Sequence, residues 1–278
     1  MTLTDITNEY LRVLELERRQ PDLAFLTDLT SRHVANFSFS SVGPLLGNDL
    51  PLDIESLYQR IVVRRRGGYC FEQNGLLQAV LEELGFNVTL YLGRVIYNQD
   101  NHPGLTHRIT LVETGGKQYV ADVGFGPMGP RCPVSLSGEI SQESFRVFRI
   151  AQGRPGEFHM QTLKDGAFYS LYRFELARYG QSDCEVGHFY SHKHPGATFV
   201  NHLVVSSILA DEVRSLRNHE FWLITASGEQ RHALEDGAHL REVLDTRFGV
   251  KVDEKEGRRL FERIATPAKA RAAVTPAQ

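Results

Sequence analysis

The sequence predicts an α+β fold, and three observations carry the prediction. Apolar residues recur at helical spacing over the first 85 positions. The period then drops to two. After about residue 199, short apolar runs mix with two closing helical patterns. Helices followed by strands, rather than alternating with them, argue against a wound parallel sheet.

The elements follow in chain order. Residues 4–18 place Ile6, Tyr10, Leu11, Val13, Leu14 and Leu16 at mostly helical spacing. Residues 22–35 do the same with Leu23, Phe25, Leu26, Leu29 and Val34, and Asp22 is a candidate N-cap. Gly43, Pro44, Gly47 and Pro51 mark a loop. Asp53 then caps a helix holding Ile54, Leu57, Ile61 and Val62. After Gly67-Gly68 comes a helix with Leu76, Leu77, Val80, Leu81 and Leu84. Gly85 stands where a C′ glycine would end it. From residue 86, segments 87–97, 107–113, 118–125, 145–151 and 171–176 alternate as strands between turn residues. They make an antiparallel β region reaching about residue 185. Segments 199–209 and 220–226 are short apolar runs, and 236–248 and 253–264 read as helices. The Pro- and Ala-rich tail 266–278 reads as disordered. No internal repeat is visible.

Bulk composition excludes several classes. A length of 278 residues gives a soft prior of two domains. Lys plus Arg total 31 against 34 Asp plus Glu, a net charge of -3, which lacks the basic excess that nucleic acid or an anionic membrane attracts. No apolar run reaches the roughly 18 residues of a membrane span. The acidic, amphipathic start lacks the basic and apolar regions of a signal peptide. Three cysteines without a CxxC form neither a disulfide framework nor a tetrathiolate zinc site, and a reducing, cytoplasmic compartment is the simplest fit.

The sharpest local feature is the run from Arg66 through Gly67, Gly68, Tyr69, Cys70, Phe71, Glu72 and Gln73 to Asn74. Two glycines permit a tight turn, and an apolar helix starts at once, so Cys70 falls at the first helical turn. Free N–H groups and the positive dipole end favour a thiolate there and can hold an oxyanion. Placement alone reads equally as a nucleophile or as a small buried hydrophobe.

A thiolate nucleophile needs a base, and the base needs an orienter. Thr114-Gly115-Gly116-Lys117 has the Gly-Gly signature of a two-residue hairpin. Counting outward from Thr114/Lys117 sets Val112 against Tyr119, Leu111 against Val120 and Ile109 against Asp122. His107, Ile109 and Leu111 then share a face with Val120 and Asp122. His107 and Asp122 become diagonal neighbours, about 7–8 Å apart at Cα and within side-chain reach. The face is otherwise apolar, so a buried carboxylate must find a donor. The hairpin leaves open whether the pair is structural, and it does not bring Cys70 to it.

These residues resemble the signature blocks of the arylamine N-acetyltransferases. The blocks are Arg66 to Asn74, Thr106-His107, and Asp122-Val123-Gly124-Phe125-Gly126. Leu171-Tyr172-Arg173-Phe174 and the segment from His194 to Phe199 fit as well, and the resemblance runs from about residue 5 to 265. It implies a helical bundle (1–85) carrying the nucleophile, an antiparallel β-barrel (86–190) carrying His and Asp, and a linker with an α/β lid (191–265), around a papain-like catalytic core. It implies Cys70 as nucleophile, His107 as base and Asp122 as orienter. The implied reaction is ping-pong acetyl transfer from acetyl-CoA to an arylamine, arylhydrazine or arylhydroxylamine through acetyl-Cys70. By matching position, Thr106, Gly124, Gly126 and Phe199 are candidate CoA contacts. Phe39, Val95 and Phe125 are candidate acceptor-pocket walls. Two departures stand out: Phe39-Ser40-Ser41 replaces the family's Phe-Glu-Asn, and Pro127 replaces a frequent Gly.

Arg66 is expected to pair with Glu72. His188, His192 and His194, with His202 nearby, suggest a metal cluster, with His192 and His194 sharing one face if the segment is a strand, but their spacing matches no established site. No metal is therefore expected. Cys132 and Cys184, lacking adjacent helix starts, read as packing or passive surface thiols, and Trp222 reads as core. The rival functions are a thiol hydrolase or amide synthase using the same three residues, and a non-enzymatic histidine-rich binding module.

Overall fold

The computed structural model describes residues 1–265. Its elements run α1 (Leu3–Val13), α2 (Leu23–Asn36), β1 (Phe39–Ser40), α3 (Val42–Leu46), α4 (Ile54–Tyr58), a π-helical turn (Gln59–Val63) and α5 (Cys70–Glu83). Strands follow: β2 (Asn87–Val95), β3 (His107–Thr114), β4 (Lys117–Ala121), β5 (Val134–Ser135), β6 (Ser141–Glu143), β7 (Arg146–Gln152), β8 (Glu157–Lys164) and β9 (Ala167–Glu175). Then come α6 (Gln181–Lys193), α7 (Thr198–Asn201), β10 (Val204–Ile208), β11 (Glu212–Arg217), β12 (Glu220–Thr225), β13 (Gly228–Ala233), α8 (Gly237–Phe248) and α9 (Glu254–Ala265). The tail 266–278, expected to be disordered, lies outside the described residues.

The predicted caps form. Asp22 accepts from Phe25 N at 2.8 Å and Asp53 from Ser56 N at 2.9 Å. Each satisfies an N–H that its helix leaves free. Helix α1 ends at Val13, five residues before the pattern predicted, because the chain turns at Glu15 into the left-handed region (φ 55). Leu16 still packs on the core from outside the helix, which is why the apolar pattern outran it.

The α+β class and its barrel are present. Eight strands form one antiparallel sheet, ordered β5-β4-β3-β2-β9-β8-β7-β6, that curls until β5 packs on β7. Ile109, Leu111, Val120, Phe148, Met160 and Tyr172 fill its interior. A second antiparallel sheet, β1-β10-β11-β12-β13, is covered by α8 and α9 through Leu216, Phe221, Leu240, Leu244 and Leu260. Strand β1 ties the two halves together. It pairs with β10, and Ser40 N donates to Gly68 O at 2.8 Å, in the loop before Cys70. Ser41 Oγ donates to His202 O at 2.9 Å and accepts from Val204 N at 2.8 Å. The two serines that depart from the family pattern thus seal the helical part to the second sheet.

Four expectations need correction. Segment 181–193 is the helix α6, not the end of a β region, so His188 and His192 stand one turn apart on a helix. Cys184 therefore does lie in a first helical turn. Arg66 pairs with Glu256, with two contacts of 2.6 Å, while Glu72 is held by Arg60 at 2.5 Å. Trp222 is half-buried beneath the Arg231 guanidinium rather than in the core.

A buried polar thread joins α1 and α2 to α5. Tyr10 donates to His33 Nδ1 at 2.8 Å, which requires His33 Nε2 to donate to Gln73 Oε1, also at 2.8 Å. Gln73 Nε2 donates to Ser38 O at 2.8 Å. Burial pushes the His33 pKa down to about 4. The unfolded chain therefore binds a proton more readily than the folded one between pH 6.5 and 4. Stability from this group is complete above about pH 6.5 and is lost as pH falls towards 4. The expected loss is about 2 kcal/mol between pH 7.5 and 5. Urea unfolding at several pH values measures the slope. His33→Gln should flatten it whatever it does to stability at neutral pH; an unchanged slope contradicts the assignment.

Candidate active site

Cys70 opens α5, and its position is fixed from three sides. Gly67 precedes it at φ 67, and a Cβ there would lie 2.5 Å from Ser38 O, so only glycine fits. Glu72, itself 1% exposed, reaches back to accept from Tyr69 N at 3.1 Å, half of a capping box. Gly124 lies so close that a Cβ would stand 2.6 Å from Cys70 Cα. The Cys70 thiol, 3% exposed, donates to Thr106 O at 3.4 Å.

The β-hairpin register is as counted from Gly-Gly: Thr114 with Lys117, Val112 with Tyr119 and Leu111 with Val120. The ladder stops at Thr110/Ala121, one residue short of Asp122. The diagonal contact nonetheless forms. His107 Nε2 donates to Asp122 Oδ2 at 2.8 Å, with both side chains buried. His107 and Cys70 line the same cleft. With Nε2 engaged by Asp122, the nitrogen left for Cys70 is Nδ1. Asp122 Oδ1 accepts from Asn74 Nδ2 and from Gly124 N, both at 2.9 Å. Every lone pair the carboxylate needs to offer inside the protein is met, which offsets its burial.

Charge follows from this geometry. Burial opposes protonation of His107, but the Asp122 carboxylate, its hydrogen bond and Cys70 outweigh it and hold the imidazole pKa well above its ordinary value. Burial alone would raise the Asp122 pKa, yet the His107 charge and three hydrogen bonds hold it below the usual carboxylate range. Both shifts favour the charged partners, so a proton taken up at His107 Nδ1 is held beside the Asp122 carboxylate and next to the Cys70 sulfur.

Cys70 and His107 border a cleft of about 580 Å³. Cys70, His107, Thr106, Gly124, Phe39, Val95, Phe125 and Phe199 all line it. Asp122 stands behind His107, out of the cleft, as an orienter would. Gly126 does not line it, but sits at φ 89 against the Phe39 ring. Phe125 packs edge-on to His107 at 5.2 Å, and Phe39 edge-on to Phe199 at 5.5 Å. A larger, open groove of about 930 Å³ lies elsewhere, around Arg60, Arg64 and Lys251, and holds neither the thiol nor the imidazole.

Sequence reading missed Asn74 as the second holder of Asp122, although it belongs to the Cys70 block. It also missed Tyr97, Met128, Tyr190 and Arg217 in the cleft wall. Among the described residues, no group of three or more His, Cys, Asp or Glu side chains is arranged to hold a metal ion. His188 is instead spent on structure. Its Nε2 donates to Leu50 O at 2.7 Å and its Nδ1 accepts from Tyr69 OH at 2.5 Å. Burial first, then the neighbouring His192, pushes its pKa down to about 3.

The other two cysteines do not line the cleft. Burial pushes Cys132 and Cys184 each up to about 11. Iodoacetamide at near-neutral pH should therefore label Cys70 at least tenfold faster than either, by peptide mass mapping, since the thiolate is the reacting form (on the order of 1% or less of a thiol with so high a pKa). Equal rates at the three positions would contradict a charge-stabilised thiol at Cys70.

Comparison with known proteins bears on this arrangement. The family model described as N-acetyltransferase matches residues 22–257. The arylamine N-acetyltransferase of Mycolicibacterium smegmatis is 33% identical over 265 residues, 92% of this chain and 96% of that protein. The structure of the arylamine N-acetyltransferase of Salmonella typhimurium superposes with a TM-score of 0.88 at 30% identity, covering 94% of this chain and 99% of that one. The Mycobacterium marinum arylamine N-acetyltransferase in complex with CoA gives 0.87 at 30% identity, with coverage of 92% and 99%. Sequence and papain-like fold agree over nearly the whole described length, and the chain belongs to the arylamine N-acetyltransferase family of acyltransferases.

Proposed function

We propose that the protein transfers an acetyl group from acetyl-CoA to arylamines, arylhydrazines or arylhydroxylamines by a ping-pong mechanism through acetyl-Cys70. The observation that supports this most is the buried His107–Asp122 hydrogen bond, with His107 and Cys70 lining one cleft.

In this reading His107 takes the Cys70 proton on Nδ1, and Asp122 keeps the other ring nitrogen protonated. The Cys70 sulfur attacks the acetyl carbonyl. The new S–C bond forms as the bond to the CoA sulfur breaks, and His107 returns its proton to that sulfur. Exchange of one thioester for another needs little thermodynamic drive. The first N–H groups of α5, which have no acceptor within the helix, are suited to hold the carbonyl oxygen as charge develops. An arylamine nitrogen then attacks acetyl-Cys70, the S–C bond breaks, and the amine proton passes to His107.

Thr106, Gly124, Gly126 and Phe199 are proposed CoA contacts. Phe39, Val95 and Phe125 are proposed walls for the aromatic acceptor. The helical part would carry the nucleophile, the barrel the base and its orienter, and the second sheet would close over them. A reducing, cytoplasmic setting suits a thiol that must stay free. The test is CoA release from acetyl-CoA with and without an arylamine. Release that depends on the amine, with parallel lines in double-reciprocal plots, is expected. Fast release indifferent to the amine would make the protein a thioester hydrolase and overturn the transfer reading.

A further inference from the structure

Arg60 stands outside the cleft and grips the nucleophile segment at both of its ends. It lies in the π-helical turn Gln59–Val63, where Arg64 N donates to Gln59 O at 2.9 Å. Such turns are rare and gather at functional sites. The Arg60 carbonyl accepts from Arg66 N at 2.9 Å, just before Gly67-Gly68. Its side chain donates from Nε to Glu72 Oε1 at 2.5 Å, two residues after Cys70. One residue thus brackets Cys70 from both sides.

The Glu72 contact has its reason in the helix start. Tyr69 is the N-cap of α5 and has no short polar side chain to satisfy the first turn. Glu72 reaches back instead and accepts from Tyr69 N at 3.1 Å. Gly68 makes room for it, since a Cβ there would lie 2.9 Å from Glu72 Cβ. The contacts then close into a ring around Tyr69. Arg60 Nη2 donates to Pro51 O at 2.8 Å. His188, which takes the Tyr69 hydroxyl, donates to the neighbouring Leu50 O at 2.7 Å. The residue before the nucleophile is therefore held at its amide and at its hydroxyl, and both threads end on adjacent carbonyls.

The Arg60 and Glu72 side chains are 16% and 1% exposed. Such a pair adds little net stability over apolar residues, yet removing one partner strands the charge of the other. Neither side chain lines the cleft, and Arg60 borders the separate open groove.

We propose that Arg60 is a positioning residue for Cys70, holding Glu72 on Tyr69 N so that the first turn of α5 presents the sulfur beside His107. This rests on Cys70 as the nucleophile of the transfer reading and adds the residue that sets its place. The charged and titratable groups around Glu72 are Arg60 on the π-helical turn and Tyr69 and Cys70 beside it. Arg60 in turn acts on Asp53 of the α4 cap and on His188 and His192 of α6. Burial pushes the Glu72 pKa up, and the Arg60 charge pulls it back.

The test is the rate of Cys70 alkylation by iodoacetamide, with kcat/KM for acetyl-CoA measured beside it on protein shown to be folded by its melting curve. R60M should lower both on the order of 10–100-fold, the scale of a misplaced reacting group. E72Q must turn its NH2 towards either Arg60 or Tyr69 N, and should slow alkylation likewise. R60K, which keeps the cation, should recover most of the rate. R60M/E72Q strands no charge and leaves an amide oxygen for Tyr69 N, so it should react faster than R60M. Between about pH 5 and 9, where a buried carboxyl titrates, the ratio of R60M to wild-type alkylation should fall as pH rises, because Glu72 then ionises beside the sulfur with no cation to offset it. The same ratio for R60M/E72Q should not change with pH. A folded R60M that alkylates at the wild-type rate, whatever its melting midpoint, overturns the proposal and leaves Arg60 a stabilising residue only. So does an R60M/E72Q protein no faster than R60M, or a pH-independent ratio in R60M. Alkylation needs neither acetyl-CoA nor an amine. Alkylation slowed in R60M, with no acetyl transfer even by the wild-type protein, overturns the transfer reading alone.

Discussion

Replacing Cys70 by Ser should abolish acetyl transfer, a loss of at least about 10^4-fold, while leaving the fold intact. The two side chains are nearly isosteric. The new hydroxyl inherits the Thr106 carbonyl, 3.4 Å from the sulfur, as an acceptor, so no polar group is stranded in a site that is 3% exposed. The thermal midpoint should therefore move little. Chemistry should not survive, because a hydroxyl is a far weaker acid than a thiol. The charge of His107 that stabilises a thiolate is then of little use. Arylamine acetylation measured with purified protein, alongside a melting curve, checks both halves. Activity within tenfold of the parent in a folded Cys70→Ser protein would remove Cys70 from the mechanism.

Asp122→Asn should cost about 10^3–10^4-fold, the scale on which an orienting carboxylate matters in a triad. The local hydrogen bonds dictate the reason. Oδ1 accepts from two donors, Asn74 Nδ2 and Gly124 N. An amide at this position must keep its oxygen there, because turning its NH2 towards them would set donor against donor twice. The NH2 group then faces His107 Nε2, which must accept. The ring proton moves to Nδ1, the nitrogen that should take the Cys70 proton. Geometry survives and the base is blocked. Single-turnover acetylation should slow by the same factor as steady-state turnover. A loss below tenfold would mean that His107 keeps its tautomer without Asp122.

The parts of this site that could be read in advance were those fixed by local geometry. Gly115-Gly116 set the β3–β4 register, and the register set the His107–Asp122 diagonal. Asp22 and Asp53 announced helix starts because a cap is a contact over three residues. Features fixed by distant packing could not be read this way. Helix α6 buries Cys184, Gly187, His188, Ser191 and His192 and exposes Val186, Phe189 and Tyr190, so its apolar pattern is inverted. Gly187 is small because its neighbour is Phe71 on the nucleophile helix. Strand β8 was missed for a related reason. A bulge between Met160 and Gln161 breaks the alternation that would reveal it. The partner of Arg66 lies 190 residues away, and Arg60 sits in a π-helical turn that no local rule signalled. Arg217 ends β11 of the second sheet and Tyr97 lies in the turn after β2, so nothing in either segment marks them as neighbours.

The central claim is that the acetyl group passes through one sulfur. Intact mass spectrometry of the protein with acetyl-CoA and no amine tests it most directly. The account predicts a mass gain of one acetyl group, located by peptide mapping on Cys70, absent from Cys70→Ser, and discharged when an arylamine is added. Turnover without any acetyl-protein, or an acetyl group carried on another residue and lost at the rate of turnover, would contradict it.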